Sequence, residues 1–429
     1  MKQLSERARA SFGQPIGELM ARALGNPELI SLAAGFADQS TLPTNLIQQV
    51  FDGVFADEPT ARRALQYGTT AGDPLLRQLL IERLLSVDPG LSAADHVTPD
   101  QVVVTAGSNE FLFLLADALL DPGDIVLCGS PTYLVMLGIL ENLQAVAWGV
   151  NTDENGIRSD DLHQVLDLLQ RQGRLDRVKA IYVVSYFDNP GGISMSLERR
   201  QELLDVARAW SARIGRTIHI IEDVAYRQLR YEGEDVPSIR SLDQSGQQVV
   251  YVDTFSKCLS PGLRVGWGLL PPPLVEPIIN LKGNLNFGSP HLNQMILQRF
   301  LRDQLDSQHV PTIRQAYREK LEALETAAEE LLAPVPGVHW HKPTGGLYIW
   351  LGLSPSIDTG PQGSLFDHAI EEGMIYVPGE FAFPNQGEPR CRNFMRLSFA
   401  VESPQRIRQG VEALSRAISR TLDEYRAQV

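Results

Sequence analysis

Lys257 lies just beyond a predicted strand at residues 249–253, where a ligand could reach it. An amine in this position can form a Schiff base once burial or neighbouring positive charge has deprotonated it. The hydroxyls of Thr254 and Ser256 and the guanidinium of Arg264 flank it in the sequence, and such donors suit a phosphate group. An imine-forming lysine beside a phosphate site indicates pyridoxal 5'-phosphate (PLP). A surface turn with a solvated Lys257 is the alternative interpretation of the same segment.

Polar groups with matching chemistry follow other predicted strands. In open α/β sheets ligands bind beyond the carboxyl ends of the strands, so groups at successive strand ends meet at one edge. A glycine turn that leads into a helix offers backbone N–H groups and a hydroxyl to an anion. Other strand ends carry an amide, a carboxylate and a phenol. The groups are Gly107, Ser108 and Asn109 after residues 101–105, Asn189 after 180–185, and Asp223 with Tyr226 after 217–221.

Each of these residue types has a task beside PLP. A buried carboxylate such as Asp223 keeps the pyridine nitrogen protonated, so that the ring can draw electrons from a carbanion. Tyr226 and Asn189 can donate to the phenolate oxygen of the ring. Lys257, once a substrate amine has displaced it, can act as general base and acid. Taken singly, each residue also fits a turn, a helix cap or the core. Their joint placement favours a cofactor site.

The composition limits the class of protein. The chain of 429 residues is long enough for two lobes, and 43% hydrophobic with 21% charged residues is ordinary for a globular protein. A net charge of -14 argues against nucleic acid as the main partner, because phosphate binding needs a basic surface. No apolar run resembles a signal peptide or a membrane span. Three widely spaced cysteines predict no disulfide framework. We therefore expect a cytoplasmic protein without membrane contact.

Apolar strands alternate with amphipathic helices between about residues 101 and 270. This alternation predicts an α/β fold with a mostly parallel, doubly wound sheet. After residues 334–337 the pattern changes to short strands with helices between them, which predicts a smaller α+β domain. We expect an arm over residues 1–44 that joins the small domain, a large PLP-binding domain over 45–320 and the small domain over 321–429.

These residues resemble the fold-type I, PLP-dependent aminotransferases (class I/II) of the aspartate aminotransferase superfamily, most closely its kynurenine, 2-aminoadipate and aromatic amino acid subgroup. The resemblance spans nearly the whole chain. Its most specific motifs are the block from Ser256-Lys257 to Arg264 and the run Asn393-Phe394-Met395-Arg396. The other motifs are a tyrosine loop at 67–72, a glycine turn at 107–109, Ser130-Pro131-Thr132-Tyr133 and Asn189-Pro190-Gly191-Gly192.

The resemblance implies an enzyme that moves an α-amino group between an L-amino acid and a 2-oxo acid in a ping-pong cycle. It implies that Lys257 is the Schiff base lysine, that Arg396 clamps the substrate carboxylate and that Tyr133 stacks on the cofactor ring. Tyr67 would reach the site of a neighbouring subunit, so a homodimer with shared active sites is expected. The other implied contacts are Gly107, Ser108, Asn109, Thr254, Ser256 and Arg264 with the phosphate, Asn189 and Tyr226 with the phenolate oxygen, Asp223 with the pyridine nitrogen, and Gly35 and Asn189 with the substrate.

Two departures from the family pattern matter for the substrate. Gly191 stands where threonine is usual, which should alter the turn more than the chemistry. Residues 33–38 depart from the subgroup's Ala-Gly-Gly-x-Pro pattern, so the arm that covers the substrate should differ and the donor amino acid stays open. Phe36, Tyr348 and Trp350 are candidates for an apolar wall of the substrate pocket, although core packing explains Trp350 equally well.

Two other functions fit the same scaffold. A PLP-dependent lyase, decarboxylase or synthase would use Lys257 and Asp223 in the same way, although an arginine for the α-carboxylate speaks against decarboxylation. A ligand-sensing module of the kind found in some transcription regulators needs a preceding DNA-binding domain. The family-like region begins near Ser11 and leaves no room for one. His339 and His341 share one face of a predicted strand, but without a third ligand they predict no metal site.

Overall fold

A computed structural model describes residues 4–10, 17, 19, 25, 26, 28–88, 90, 91, 97–387 and 390–428 of the chain. The strands of this part form one large sheet and two smaller ones. In chain order they are β1 Ile30–Ser31, β2 Val102–Thr105, β3 Ile125–Ser130, β4 Val146–Asp153, β5 Gly156–Ile157, β6 Val178–Val184, β7 His219–Asp223, β8 Val249–Thr254, β9 Gly266–Leu269, β10 His339–Trp340, β11 Tyr348–Gly352, β12 Met374–Ile375, β13 Val377–Pro378 and β14 Phe394–Ser398.

The large sheet has eight strands in the order β2-β9-β8-β7-β6-β3-β4-β5. Strands β3, β4, β6, β7 and β8 are parallel to one another, whereas β9 is antiparallel to both of its neighbours, β2 and β8. The predicted α/β fold with a mostly parallel sheet is confirmed. The connection over residues 255–265 is shorter than the dozen or so residues that a parallel crossover needs, which is consistent with the direction of β9.

Both faces of this sheet are buried. Along β3, Leu127 and Cys128 are completely buried but belong to different apolar clusters, one on each face. Along β6, Ile181 and Tyr182 divide between the two clusters in the same way. Successive side chains of a strand point to opposite faces, so a strand covered on both sides is apolar throughout. This explains why the strands read as continuous hydrophobic runs.

Helices cover these faces and build most of the remaining structure. Among the described residues, none of them combines the length and the apolar character that crossing a membrane would require. They span Glu6–Ala10, Thr44–Phe55, Glu58–Ala64, Pro74–Val87, Ser108–Leu119, Leu134–Asn142, Ser159–Arg171, Leu197–Ile214, Ile239–Leu242, Pro272–Asn286, His291–Arg302, Asp306–Leu331, Ser364–Glu371 and Pro404–Gln428.

A second sheet lies in the carboxyl-terminal part of the chain. It is antiparallel and has the order β10-β11-β14-β13. The helix Asp306–Leu331 packs against the last helix, Pro404–Gln428. The predicted domain boundary between residues 320 and 321 falls inside the first of these helices. The division into an arm, a large domain and a small domain therefore stays a prediction.

The amino-terminal segment is joined to this second part through β1, which pairs in parallel with β12. The pattern of residues 30–36 indicates a strand that enters a turn, but the strand is confined to Ile30–Ser31. Leu32 continues the backbone hydrogen bonding, because its N–H donates to Ile375 O and its carbonyl accepts from Ser398 N. Beyond it, Ala33 O accepts from Arg396 and Gly35 O from Lys257. One short helix is predicted within residues 1–44, and Glu6–Ala10 is helical. Most of residues 11–27 lie outside the described residues.

Candidate active site

The carboxyl ends of β2, β3, β6, β7 and β8 meet at one edge of the large sheet and enclose a cavity of about 220 Å³. Most of the residues that the sequence selects contribute to its wall. The lining residues are Phe36, Ser108, Asn109, Tyr133, Val184, Asn189, Asp223, Ala225, Tyr226, Thr254, Ser256, Lys257, Pro261 and Arg264.

One end of the cavity is built to receive an anion. The turn before the helix Ser108–Leu119 passes through Gly107, whose φ of 89° favours glycine. Any Cβ at this position would overlap Nη2 of Arg264. Gly266 at the start of β9 is equally constrained, because a Cβ there would overlap the backbone nitrogen of Ser108. The two glycines thus let a helix amino end and a guanidinium lie side by side.

The charge at this end has no acidic partner. Arg264 donates to the carbonyl oxygens of Ala106, at 3.1 Å, and Pro261, at 3.3 Å, and it forms no ion pair within the described part of the chain. The hydroxyls of Thr254 and Ser256 lie 3.0 Å apart on the neighbouring loop. A guanidinium, two hydroxyls and a helix amino end suit a phosphate.

An acidic group without a cationic partner among the described residues lies at the end of β7. Asp223 is 4% exposed, and its carboxylate accepts from Tyr182 Oη at 3.0 Å and from Ala225 N at 3.1 Å. No lysine, arginine or histidine of the described residues forms an ion pair with it. Burial raises its pKa to about 6. A buried acid without a counter-ion is suited to pair with a cationic group that a ligand brings, such as a protonated pyridine nitrogen.

Lys257 lies between these two ends. Its amine donates a 2.8 Å hydrogen bond to Gly35 O in the amino-terminal segment. The loop that carries it turns directly out of β8, because Leu259 N bonds back to Phe255 O. The sheet edge and the amino-terminal segment together fix the position of this amine.

Arg396 lies beside this cavity on β14. Its side chain is buried, with 3% of the residue exposed, and its guanidinium carbon lies 4.3 Å from the centre of the Tyr348 ring. Nη1 donates to Asn189 Oδ1 at 2.9 Å and Nη2 to Ala33 O at 2.8 Å, while Nε is buried with no partner among the described residues. A buried arginine that meets only neutral acceptors has capacity for an external carboxylate.

Two phenols connect Arg396 to the cofactor cavity. Tyr226 Oη lies 3.3 Å from Tyr348 Oη and 3.4 Å from the amide nitrogen of Asn189. Burial raises the pKa of Tyr226, which keeps it a phenol. Burial also opposes ionisation of Tyr348, but the charges of Arg396 and Lys257 outweigh it and lower the pKa of Tyr348. Tyr226, which lines the cavity, can therefore donate to an anionic oxygen there.

The segment that covers the site is anchored to the helix Asp306–Leu331. Asp38 forms a buried ion pair with Lys320, with 2.7 Å between Oδ2 and Nζ, and its backbone nitrogen donates to Tyr317 Oη at 2.9 Å. Lys320 also donates to Ala400 O at 2.9 Å. These contacts hold the carbonyl groups that Lys257 and Arg396 use.

Two residues that the sequence selects lie away from the cofactor cavity. Tyr67 is 79% exposed and packs edge-on against Phe287, which is also exposed. Within one chain it therefore contributes nothing to the cavity. Trp350 stacks on Phe394, with ring centroids 5.5 Å apart, and lines a neighbouring cavity instead. Phe36 does line the cofactor cavity, as its prediction as a wall residue requires.

Three contacts at the site escape sequence reasoning. Tyr182 donates to Asp223 from the adjacent strand, Gly266 permits the approach of Ser108, and the hydroxyl of Tyr348 faces Tyr226. Tyr182 and Gly266 lie within apolar strands and carry no local signal. Tyr348 lies two residues before Trp350 on β11. The contact of its hydroxyl with Tyr226 depends on the pairing of β11 with β14, which the sequence does not show.

Comparison with known proteins places this chain in a family. The sequence matches the family model for Aminotransferase class I and II over residues 27–414. It is 32% identical to an aromatic-amino-acid aminotransferase of Thermococcus litoralis over 97% of this chain and 94% of that protein. It is 28% identical to a 2-aminoadipate transaminase of Thermus thermophilus, over 95% and 96% of the two chains. The structure of a Pyrococcus horikoshii kynurenine aminotransferase superposes with a TM-score of 0.88 at 30% identity, over 98% of this chain and 97% of that one.

Proposed function

The chain belongs to the class I and II aminotransferases and is a PLP-dependent enzyme that transfers amino groups, and we propose that Lys257 is its Schiff base lysine. The single observation that carries this proposal is the order of groups around one cavity. Adjacent strands lie in the order β9-β8-β7, with Arg264 just before β9, Lys257 just after β8 and Asp223 at the end of β7, so the amine comes between the guanidinium and the acid along the sheet edge. In PLP the aldehyde lies next to the arm that carries the phosphate, and the pyridine nitrogen lies across the ring from the aldehyde, which matches this order.

The residues present fit this cofactor. When bound, PLP supplies an electron-accepting ring that weakens the bonds at the α-carbon of an attached amino acid. Asp223 would hold the proton on the pyridine nitrogen, and Tyr182 would keep the carboxylate in place through its 3.0 Å hydrogen bond. Tyr226 and Asn189 would donate to the ring oxygen, and Tyr133 would pack against the ring. The phosphate would be held by Gly107, Ser108, Asn109, Thr254, Ser256 and Arg264.

The amine of Lys257 would carry the proton of the transfer step. A general base must reach the proton that it removes within hydrogen-bond distance. Lys257 is restrained by Gly35 O, and release from that carbonyl would leave the amine free to move a proton at the substrate α-carbon. The transfer in the second half of a ping-pong cycle would use the same amine in reverse.

Arg396 would bind the α-carboxylate of both the amino acid and the 2-oxo acid. Asn189 and Ala33 O already orient the guanidinium, and its buried Nε has no protein partner among the described residues. We propose aromatic amino acids as donors. The support comes from the aromatic amino acid and kynurenine activities named for similar proteins, and from Phe36, which is 49% exposed at the cavity. Gly35 would lie against the substrate.

We further propose a homodimer with shared active sites in the cytoplasm. Tyr67 and Phe287 form an exposed aromatic pair outside the cavity of their own chain, as a residue that serves a partner subunit would. Cys128 and Cys258 are buried free thiols, which suits a reducing compartment. An arm at 1–44, a large domain at 45–320 and a small domain at 321–429 remain our proposed division.

The attachment site can be tested by borohydride reduction of the holoenzyme followed by peptide mass spectrometry. We expect the reduced cofactor on Lys257, and we expect Lys257→Ala to lose transamination and the visible absorption band of the bound cofactor. Lys282→Gln is the matched control, because Lys282 is buried, its pKa is lowered by burial, and it lies away from the cavity. Label on Lys282, or full activity of Lys257→Ala, would refute the assignment.

The donor class can be tested with 2-oxoglutarate as acceptor and a panel of amino acids. We expect kcat/KM to be highest for phenylalanine, tyrosine and kynurenine and at least tenfold lower for alanine. A clear preference for 2-aminoadipate would overturn the aromatic proposal but would leave the site assignment intact. Release of ammonia or carbon dioxide without formation of glutamate would instead indicate lyase or decarboxylase chemistry.

A further inference from the structure

A second cavity lies behind the proposed active site, between the large sheet and the small antiparallel sheet. Its volume is about 290 Å³, larger than that of the cofactor cavity. Val184 borders both cavities, and Tyr182, the partner of Asp223, borders the second. Ends of β3, β4 and β6 form one side, and residues of β11 and β14 form the other. The two cavities are therefore separated by little more than one strand and the loop that follows it.

That loop, residues 188–191, faces both cavities. Asn189 lines the cofactor cavity and holds Arg396 and Tyr226. Asp188 and Gly191 line the second cavity. A Cβ at Gly191 would lie 2.7 Å from Asp188 Oδ1, so the glycine leaves the space in which this carboxylate sits. Glycine at position 191, where threonine is usual, therefore leaves room for the Asp188 carboxylate in its observed position at the second cavity.

The lining of the second cavity combines aromatic and polar groups. Trp350 stacks on Phe394, and the Phe383 ring centroid lies 6.1 Å from that of Trp350. Asp188 and Ser130 are among the polar lining residues. Asp188 Oδ1 accepts a 2.9 Å hydrogen bond from Ile193 N, but the carboxylate forms no ion pair within the described residues.

Two of these polar groups, a buried acid without a counter-ion among the described residues and a buried hydroxyl without a hydrogen-bond partner there, leave capacity for a ligand. Burial raises the pKa of Asp188 to about 7. Ser130, which also lines the cavity, has a buried hydroxyl without a hydrogen-bond partner among the described residues. A buried polar group without a partner is costly, and a ligand that supplies a hydrogen bond relieves the cost. A donor on the ligand would bind the ionised form of Asp188, which only accepts hydrogen bonds.

We propose that this cavity is a binding site for a small aromatic molecule that carries one hydrogen-bond donor, with its ring against Trp350 and its donor at Asp188. The size is sufficient, since an apolar cavity of about 150 Å³ holds a benzene ring. Such a ligand would contact the loop that positions Asn189. It would therefore act on the arginine that receives the substrate carboxylate, without entering the active site.

Cys391 provides a direct readout of occupancy. It lines the second cavity and is partly exposed, whereas Cys128 and Cys258 are buried. Iodoacetamide should therefore alkylate Cys391 of the holoenzyme first. Indole, which has no amine that could react with the cofactor, should slow this alkylation at least tenfold at saturation. Benzofuran has the same shape without the N–H, and it should need roughly tenfold or higher concentrations for the same protection.

Two variants make the test decisive, and both leave the proposed cofactor residues intact. Ile193→Trp fills the cavity and should abolish protection by indole, with kcat within twofold of the wild type. Asp188→Asn keeps an oxygen for Ile193 N but removes the carboxylate, so it should reduce the difference between indole and benzofuran. The absorption band of bound cofactor reports folding of each variant.

If indole binds in the second cavity and protects Cys391 from alkylation, it should also change the kinetics of transamination. Saturating indole should change the KM for the amino donor by about threefold or more with little change in kcat, and Ile193→Trp should be insensitive to it. Absence of protection by indole, or equal protection in the wild type and in folded Ile193→Trp, would overturn the proposal. So would equal protection by indole and benzofuran.

Discussion

Two buried arginines of this protein lie in similar surroundings but differ in their partners. Arg227 and Arg396 are both 3% exposed, and each lies over a tyrosine ring, at 4.9 Å from Tyr186 and 4.3 Å from Tyr348 respectively. The charge of Arg227 is met by carboxylates at 2.8 and 3.2 Å. Arg396 meets an amide oxygen and a backbone carbonyl. The charge of the first arginine is neutralised within the protein, whereas the second has no acidic partner among the described residues.

The buried acids show the same contrast. Asp88 is completely buried and paired with Arg227, whereas Asp223 is almost as buried and accepts only from a phenol and a backbone N–H. Burying a charge without its counter-ion costs free energy, so a protein keeps such a group where a ligand will complete it. The residues of the candidate site are thus distinguished from other buried charges by the lack of a charged partner among the described residues, more than by residue type.

The largest expected effect follows from breaking the complete pair. Arg227→Met leaves Asp88 buried without a counter-ion, and we expect the free energy of unfolding to fall by roughly 3–5 kcal/mol. Urea unfolding would measure this loss. The double variant Arg227→Met/Asp88→Asn should recover part of it, and kcat of the folded fraction should stay within twofold. A loss of activity without a loss of stability would contradict the view that Arg227 serves the stability of the fold and not the reaction.

Arg396→Met should give the opposite pattern. No acid is left behind, so we expect the free energy of unfolding to change by less than about 1 kcal/mol. The value of kcat/KM for the amino acid should fall by roughly 2–5 kcal/mol in free-energy terms, about 30-fold to several thousand-fold. Steady-state kinetics would measure it. The control substrate is the analogue of the amino acid donor in which hydrogen replaces the α-carboxylate. Arg396→Met should convert this amine as fast as the wild type does.

Asp223→Asn tests the unpaired acid through its pH dependence. The pKa of Asp223 is raised from its ordinary value of 3.8 to about 6, so the folded cofactor-free protein binds this proton more tightly than the unfolded chain does. Its contribution to stability is therefore lost as the pH rises through this window and is unfavourable at pH 7. We expect cofactor-free Asp223→Asn to exceed the wild type by up to about 3 kcal/mol at pH 7.

Thermal or urea unfolding between pH 3.5 and 7.5 would measure this difference, which should vanish below about pH 4. With the cofactor bound, the order should reverse, because the wild-type carboxylate then has a cationic partner. We expect kcat of the variant to fall by roughly 10²–10³-fold. A variant that is less stable than the cofactor-free wild type at pH 7 would contradict the idea that Asp223 lacks a partner.

The smallest effect is expected at an exposed arginine. Arg62 pairs with Glu58 at 2.6 Å, but 79% of its side chain is exposed. Arg62→Ala should lower the free energy of unfolding by no more than about 0.5 kcal/mol and leave kcat and KM unchanged. Urea unfolding and steady-state kinetics would check both. A change in KM would show that an exposed, paired arginine also affects substrate binding, which would contradict the distinction between buried arginines with and without an acidic partner.

The placement of the site could be predicted where the chemistry is local. Lys257, Asp223 and Asn189 each lie at or within a few residues of a strand end, so the alternation of strands and helices was sufficient to bring them together. The apolar pattern of β9 does not reveal its direction, because an apolar strand reads the same either way; only the short connection over residues 255–265 points to an antiparallel strand. The mostly parallel sheet followed from apolar runs that are buried on both faces.

What the sequence did not show depends on partners that are distant in the chain. Tyr182 lies in the middle of β6, and only the register that pairs it with Ile221 brings its hydroxyl to Asp223. The requirement for glycine at 266 comes from Ser108 on another strand-end loop. The ion pair between Asp38 and Lys320 is equally non-local. Local patterns identify groups with chemistry, but not the side chains that orient them.

The backbone of the amino-terminal segment has a practical consequence for engineering. Two carbonyl groups, those of Ala33 and Gly35, hold the arginine of β14 and the lysine after β8, and Asp38 fastens this segment to the helix Asp306–Leu331. Replacing residues 33–38 with a related sequence to change donor preference would therefore disturb the positions of Lys257 and Arg396 together. A successful chimera should carry the matching helix residues with the graft, so the smallest exchangeable unit is discontinuous in the chain.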